Sequence, residues 1–234
     1  MRRFKDFLLE TPIESNYEGT PADELSKIMH HTVDDIPKMG KPIASMGDLD
    51  LYQIHHGDPM HHAGHGAFID TTASLEDGNK YGTYDGGVFI VHDRRSNRFL
   101  GHMTYANPLS HRPKDLYIQG LKSARSNVRG IRNFIYDNVA DKLGYTLISD
   151  THHSGSGKRG WVRDIDNNKN VYIRYIRNHQ NEEWDEIPAK GIPHIHIWGH
   201  ITGAILHPFQ PLKPRSANLY SSDRVLLVRK PKGT

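Results

Sequence analysis

The chain has 234 residues, a formal net charge of +3 and a pI near 8.9, which is mildly basic. This length predicts one domain with elaborations, or at most two small ones. The absence of cysteine excludes disulfides, thiolate zinc sites and cysteine nucleophiles. No apolar run approaches the roughly 20 residues of a membrane-spanning helix, so we expect a soluble protein with no membrane partner. The charge fits an acidic cofactor or transient nucleic-acid contact, but not the dense basic blocks of a dedicated nucleic-acid binder.

The N-terminal sequence MRRFKDFLLETP predicts a short amphipathic helix ended by Pro12, and Lys5 and Asp6 argue against a secretory signal. One interpretation is a helix that covers an apolar patch. The sequence also resembles the short leaders of internal head proteins of tailed phages, which are removed after Leu-x-Glu, and Leu8-Leu9-Glu10 matches that pattern. We therefore treat residues 1–15 as a leader-like segment. The resemblance implies a phage-encoded chain made in the host cytoplasm, with packaging in the virion and capsid association as a further expectation.

The first half of the chain predicts one helix, one strand and a hairpin. Helical spacing of apolar residues follows a Thr-Pro start, which predicts a helix over about 21–33. Residues 49–54 alternate apolar and polar side chains as a half-buried strand does, and residues 56–87 are loop-like. GVFIV (87–91) and FLGHMTYA (99–106) predict a hairpin, because HDRRSN between them has turn chemistry.

The second half predicts alternating strands and helices. Strands are expected over 116–122, 145–149, 171–176 and 225–229. A helix is expected from Ile131 to Leu143, with Gly144 as its C-terminal cap, and a short helix over 156–165.

The turn RSNVRGI (125–131) carries the clearest functional signal. Backbone N–H groups at the start of a helix have no partner within the helix, and the helix dipole favours negative charge there. Arg125 and Arg129 would add full positive charges. The turn therefore predicts a site for a pyrophosphate-bearing ligand. The alternative is a solvated helix start with both arginines on the surface.

The order hairpin, strand, basic turn, helix, strand, helix, strand resembles the GNAT superfamily of acyl-CoA-dependent N-acyltransferases. The family turn runs Q/R-x-x-G-x-G/A, and Arg125 and Gly130 match its ends while Val128 replaces the middle glycine. ADKLGYTLISD followed by HHSGSGKRGW also resembles acetyltransferase-like phage proteins. The resemblance implies an α/β (α+β) fold with a mixed, splayed central sheet flanked by helices. It further implies a single domain over 16–234, with a core at about 86–176 and a His-rich insertion at about 177–224.

The resemblance also implies a cofactor, acetyl-CoA, whose pantetheine arm lies in the splay and whose pyrophosphate rests on the turn. Backbone N–H groups around Ile118 and Gln119 would hold the thioester carbonyl. Val128 costs backbone freedom where amides must approach phosphate, because a β-branched residue disfavours positive φ. The expected pyrophosphate site consists of Arg125, Asn127, Val128, Arg129, Gly130 and Ile131.

An amine that attacks a thioester must lose a proton, and the leaving thiolate must gain one. Asp150 and His152 at the end of a predicted strand, and His102 on the hairpin, are candidate bases. Tyr117 is a candidate acid, with Tyr105 and Tyr136 as other options, because Trp161 takes the place of the tyrosine common in the family. Each of these residues could equally be an ordinary strand-end or core residue.

Seventeen histidines form two dense groups, HHGDPMHHAGH (55–65) and PHIHIWGH (193–200). His194 and His196 are expected on one face of a strand, where they could bind one divalent metal with His200 or Asp58. This ligand set would suit zinc, iron(II) or manganese. The spacing matches no closed metal motif, and histidine also serves as a hydrogen-bonding loop residue.

Three functions are compatible with these patterns. The first is an N-acyltransferase moving an acetyl or related group from acyl-CoA to an amine on a protein, a small molecule or a nucleobase. The second is a catalytically inactive GNAT-like phage structural or host-interaction protein. The third is a metal-dependent nucleic-acid modifying enzyme, since fold alone does not fix function.

Overall fold

The computed structural model describes residues 31–55, 58, 85–107, 112–124, 130–149, 153–178, 183–193, 197–202, 205–208 and 224–233. The leader-like segment, the helix expected over 21–33 up to residue 30 and most of the loop 56–87 lie outside these ranges. Of the basic turn, only its last two residues, Gly130 and Ile131, are described.

The main sheet has nine strands in the order β1-β2-β3-β4-β5-β6-β12-β8-β9. All neighbours pair antiparallel except β5 and β6. The architecture is therefore a mixed α+β sheet. Its strands are β1 Ala44–Met46, β2 Leu49–His55, β3 Asp85–Asp93, β4 Arg98–Asn107, β5 Asp115–Ser123, β6 Thr146–Ile148, β8 Val171–Asn178, β9 Glu183–Pro188 and β12 Arg224–Arg229.

The predicted strands over 49–54, 87–91, 99–106, 116–122, 145–149, 171–176 and 225–229 are thereby confirmed, within two residues at their ends. Short apolar runs explain their success, because strands such as β3 and β4 are buried on both faces and therefore consist almost entirely of apolar residues. β3 begins at Asp85, so the last residues of the expected loop are strand.

Two helices cover one face of the sheet, which we call the helix face. Helix α1 begins at Ile131, is α-helical to Tyr136 and continues as a π-helical segment to Lys142. Gly144 follows with φ 73°, and its N–H donates to the Ala140 carbonyl at 3.1 Å, which confirms the expected cap. Helix α2 spans Gly155–Asp166, as predicted over 156–165. The core on the helix face includes Leu51, Phe89, Met103, Leu116, Ile135, Trp161, Ile173 and Leu227.

The opposite face of the sheet has two smaller apolar clusters. The first is covered by a 3-10 helix, Val33–Met39, whose apolar side chains pack on Ile54, Val88, Ile90 and Phe99. The second consists of Ile148, Leu226 and Val228, with Tyr117 and Tyr172 at its edge. Both α-helices lie on the helix face, so the expectation of flanking helices is met on that face. In the described residues, the opposite face is covered by the 3-10 helix.

The region after β8 contains strands that the sequence did not predict. β9 extends the main sheet, so the part of 177–224 that leaves this sheet begins after Pro188. A second, three-stranded sheet has the order β10-β11-β7, with β10 Trp198–Thr202, β11 Ile205–Pro208 and β7 His153–Ser154. Its pairing of β11 with β7 attaches the late hairpin directly before helix α2.

None of the helices in the described ranges is long and apolar enough to cross a membrane.

Candidate functional site: a cleft between two parallel strands

The parallel strands β5 and β6 pair over the whole length of β6, which is much the shorter of the two. In the described residues their register has three pairs, from Asp115 with Thr146 to Tyr117 with Ile148. β5 continues to Ser123, whereas the chain after β6 follows β12, since the Ser149 N–H donates to the Leu227 carbonyl at 2.8 Å. The candidate cleft is the space beyond this last pair, beside the part of β5 from Ile118 to Ser123 that has no partner on the β6 side in the described residues.

A β-bulge interrupts β5 at the closed end of this cleft. Thr104 pairs with Gly120 and Tyr105 pairs with Ile118, which leaves Gln119 without a partner residue on β4. An extra residue of this kind re-aims backbone and side chain locally, and bulges are frequent beside active sites. Both residues predicted to hold a thioester carbonyl, Ile118 and Gln119, therefore flank the point where the ladder is broken.

The side chain of Gln119 has an unsatisfied group. Its Oε1 atom is buried and accepts no hydrogen bond from any residue in the described ranges. An amide oxygen in that state costs about 1–3 kcal/mol of desolvation when nothing compensates it. An N–H donor brought within hydrogen-bond distance of this oxygen would remove that cost.

The start of helix α1 lies at the open end of the cleft. Gly130 adopts φ 92°, in the left-handed region that favours glycine, and its carbonyl accepts from the Phe134 N–H at 2.8 Å. Ile131 is buried against Gly101 of β4, where a Cβ atom would stand 2.6 Å from the Ile131 Cγ2. This contact fixes the first turn of α1 against the sheet. The predicted ligands Arg125, Asn127, Val128 and Arg129 lie outside the described residues.

The candidate proton-transfer residues are not brought together in the described part of the chain. His102 is buried on β4 opposite Lys122, and Tyr117 lies at the closed end of the cleft opposite Ala106. Ala106 lies four residues beyond His102 on β4. His102 and Tyr117 are therefore about 13 Å apart along the strand direction. Asp150 and His152 lie outside the described residues, and their roles stay predictions.

Behind the cleft, Arg132 of α1 joins the two helices. Its guanidinium is 2.9 Å from Asp164 of α2 and lies 4.0 Å from the ring centroid of Tyr136 and 5.4 Å from that of Trp161. Burial raises the pKa of Tyr136 above 10.0, with Arg132 acting against the shift. Tyr136 therefore stays a neutral phenol in the helix packing, and it is a poorer proton donor than an ordinary tyrosine.

The expected metal site falls largely outside the described residues. His194 and His196 are not described, and of the strand predicted through them, Ile197 is helical and buried while β10 begins at Trp198. His200 lies on β10. In the ranges that the structure describes, no group of three or more His, Asp or Glu residues could hold a metal ion.

No family model, curated protein or solved structure matches this chain. Its function is therefore inferred from the geometry of the cleft.

Proposed function

We propose that the protein is an acyl-CoA-dependent N-acyltransferase of the GNAT type. Three features of the cleft support the proposal: one parallel pair in an otherwise antiparallel sheet, a crossover by helix α1, and a register that ends after three pairs. β5 and β6 are also the fourth and fifth strands when counted from β2, which is where the family resemblance expects the splay.

Two features of the described residues, the β-bulge at Gln119 and the helix start at Gly130, support this cofactor. A pantetheine arm is a narrow chain with two amide groups, and it would enter between β5 and β6. Gln119 Oε1 would accept from one of its N–H groups, which is the observation that carries the proposal. Its pyrophosphate would rest on the turn that ends in Gly130, beside Arg125 and Arg129.

When bound, the cofactor supplies a thioester whose carbonyl carbon bonds to the amine nitrogen as the C–S bond breaks. Backbone N–H groups at Ile118 and Gln119 would donate to the carbonyl oxygen as negative charge develops there. Asp150 or His152 would take the proton that the ammonium loses. Tyr117, at the closed end of the cleft, would return a proton to the sulfur.

Calorimetric titration with acetyl-CoA tests the cofactor site. We expect binding in the micromolar to millimolar range, weakened by Arg129→Glu and by Gln119→Leu. Arg95→Glu is the matched control, because it makes the same charge change in the exposed turn between β3 and β4. Absence of binding at millimolar acetyl-CoA would refute the proposal, as would binding that both cleft variants leave unchanged.

Thiol release separates an active enzyme from the inactive alternative. Free CoA thiol can be followed with a thiol reagent at no background from the protein, since the chain contains no cysteine. Spermidine and a lysine-rich peptide are suitable first amines. Acetyl-CoA binding without amine-dependent release from any amine tested would favour the GNAT-like structural or interaction protein.

A further inference from the structure

Basic side chains gather at the end of the main sheet opposite the open end of the cleft. β5, β6 and β8 begin there, and β12 and β9 end there. Three backbone hydrogen bonds bring the flanking residues together: Thr146 N–H to the Lys114 carbonyl at 2.8 Å, Lys230 N–H to Asn170 at 3.1 Å and Ala189 N–H to Val171 at 2.9 Å. We call this surface the basic end; it consists of Arg112, Lys114, Lys142, Lys169, Lys190, Lys230 and Lys232.

Half-buried aromatic rings alternate with these cations. The Arg112 guanidinium lies 4.1 Å from the ring centroid of Trp184. Lys114 Nζ lies 4.5 Å from the ring of Tyr145, and Lys230 Nζ lies 4.5 Å from the ring of Tyr172. Tyr145 packs on the helix face and Tyr172 on the opposite face, so cation–aromatic pairs occur on both faces of the sheet near this end.

The acidic residues nearby do not neutralise the basic end. Asp137 and Asp141 pair with Lys169 and Lys232, but both carboxylates also bind the buried Arg229. Glu186 is likewise shared between Lys230, at 2.6 Å, and the buried Arg174, at 2.7 Å.

Four of the seven cations keep their charge uncompensated. Arg112, Lys114, Lys142 and Lys190 are exposed, and in the described ranges none has a carboxylate within ion-pair distance. The basic end thus combines excess positive charge with aromatic surface.

We propose that the basic end binds single-stranded nucleic acid. Lysines that track a phosphate backbone, together with aromatic or guanidinium planes on which bases stack, are the recognition elements of single-strand binders. An acidic protein or an anionic lipid surface would use the lysines without needing the interleaved rings. The inference does not rest on acyl transfer, because the basic end and the cleft mouth lie at opposite ends of β5.

Fluorescence anisotropy with a labelled twelve-residue oligothymidylate tests the inference. We expect binding that weakens steeply between 50 and 200 mM salt, because each phosphate contact on a single strand contributes about 0.7 to the logarithmic slope. The Lys114→Glu/Lys190→Glu double variant should weaken binding at least tenfold and lower the slope by about 1.4. Tyr145→Leu should weaken binding about fivefold or more without changing the slope.

The control is Lys41→Glu/Arg95→Glu, which makes the same charge change at exposed positions away from the basic end. Thermal unfolding checks that all variants are folded, and Lys114→Gln/Lys190→Gln is the milder substitute. Several results would overturn the inference: no binding at 50 mM salt, an equal loss in the control, or preference for the matching duplex. Binding of phosphatidylserine vesicles but not the oligonucleotide would assign the surface to a membrane instead. An unchanged acetyl-CoA titration in the Lys114→Glu/Lys190→Glu variant would separate this site from the cleft.

Discussion

Arg229 is a full positive charge with no exposed surface in the middle of the main sheet. It is held by Asp141 at 3.0 Å, by Asp164 at 3.7 Å and by Asp137. These carboxylates come from both helices, so this one side chain ties α1 and α2 to β12. Burying a charge is tolerated only where paired groups replace the lost water.

We expect Arg229→Ala to lower the free energy of unfolding by about 3–5 kcal/mol, because it removes the buried cation that three carboxylates share and leaves its space in the core unfilled. Urea denaturation measures this loss. Lys38→Ala is the matched control: Lys38 is 66% exposed and 3.0 Å from Asp35, and a surface pair contributes at most about 1 kcal/mol. Similar losses in the two variants would contradict the role assigned to Arg229.

Lowering the pH should decrease the free energy of unfolding, because two carboxylates that stabilise the folded state become protonated. Burial acts to raise the pKa of Asp137 and Glu186, but Arg229 beside the first and Lys230 beside the second outweigh it, so both pKa values lie below the ordinary 3.8 and 4.5. A carboxylate with a lowered pKa stabilises the folded state above its ordinary pKa, and this contribution disappears as the pH falls through the folded value.

Urea midpoints should therefore be constant from pH 7 to about pH 5 and should fall below about pH 4.5. Asp137→Asn and Glu186→Gln should start from lower midpoints at pH 7 and lose less on acidification. A midpoint that rises between pH 4.5 and pH 3 would show that the sign is wrong.

At this scale the sequence could not identify the decisive residues. Arg229 and its partners Asp137 and Asp141 are 92 and 88 residues apart, and no local pattern connects positions so distant in the chain. The sequence predicts only a backbone N–H donor at Gln119. Its buried side-chain oxygen, without a hydrogen bond in the described residues, accompanies the β-bulge, which hydrophobic periodicity does not reveal. Gly130 was predictable, since a glycine at a helix start has a local conformational reason.

Among the elements, helix α1 is the one whose position matters most for the cleft, and Gly101 sets it. A Cβ at residue 101 would stand 2.6 Å from the Ile131 side chain and 3.0 Å from the Lys122 carbonyl oxygen. Because the second contact is with backbone, the strand pair cannot yield easily, and α1 must shift.

We expect Gly101→Ala to destabilise the fold by about 1–3 kcal/mol, the usual cost of overpacking. Gly120→Ala on the neighbouring strand is the control, because among the described residues its new Cβ would meet only the Thr104 Oγ1, at 3.3 Å. Chemical denaturation of both variants measures the two losses in the free energy of unfolding. Equal stability of the two would mean that the contact at Ile131 is easily relieved.

Most strands and helices from β2 to β8, β7 excepted, were predictable because each has either a regular apolar period or a short apolar run bounded by turn residues. The sequence did not predict β9, because EWDEIP places only Trp184 and Ile187 among polar residues, and its pairing with β8 supplies most of its order. β7 has two residues, too few for any period, and it exists only through its pairing with β11.

At the scale of the whole molecule, the position of β12 in the main sheet is a feature that local sequence patterns do not predict. β12 is the last strand in the chain, yet it lies between β6 and β8 and joins the two halves of the main sheet. It pairs with β8 over six residues, from Arg224 with Ile176 to Arg229 with Val171. Leu226, Leu227 and Val228 bury their side chains on the two faces.

Truncation after residue 223 should therefore abolish cooperative folding, because it removes an interior strand of the main sheet and not an edge strand. Without β12, β6 and β8 each lose a neighbour, and their backbone groups and apolar faces are exposed together. Circular dichroism should show no sigmoidal thermal transition, and a hydrophobic dye should bind strongly. Removal of residues 232–234 is the control, because Lys232 is 69% exposed and this segment contributes no strand. If the chain ending at residue 223 melts cooperatively near the full-length temperature, β12 is an accessory strand and the cleft is built by the preceding strands alone.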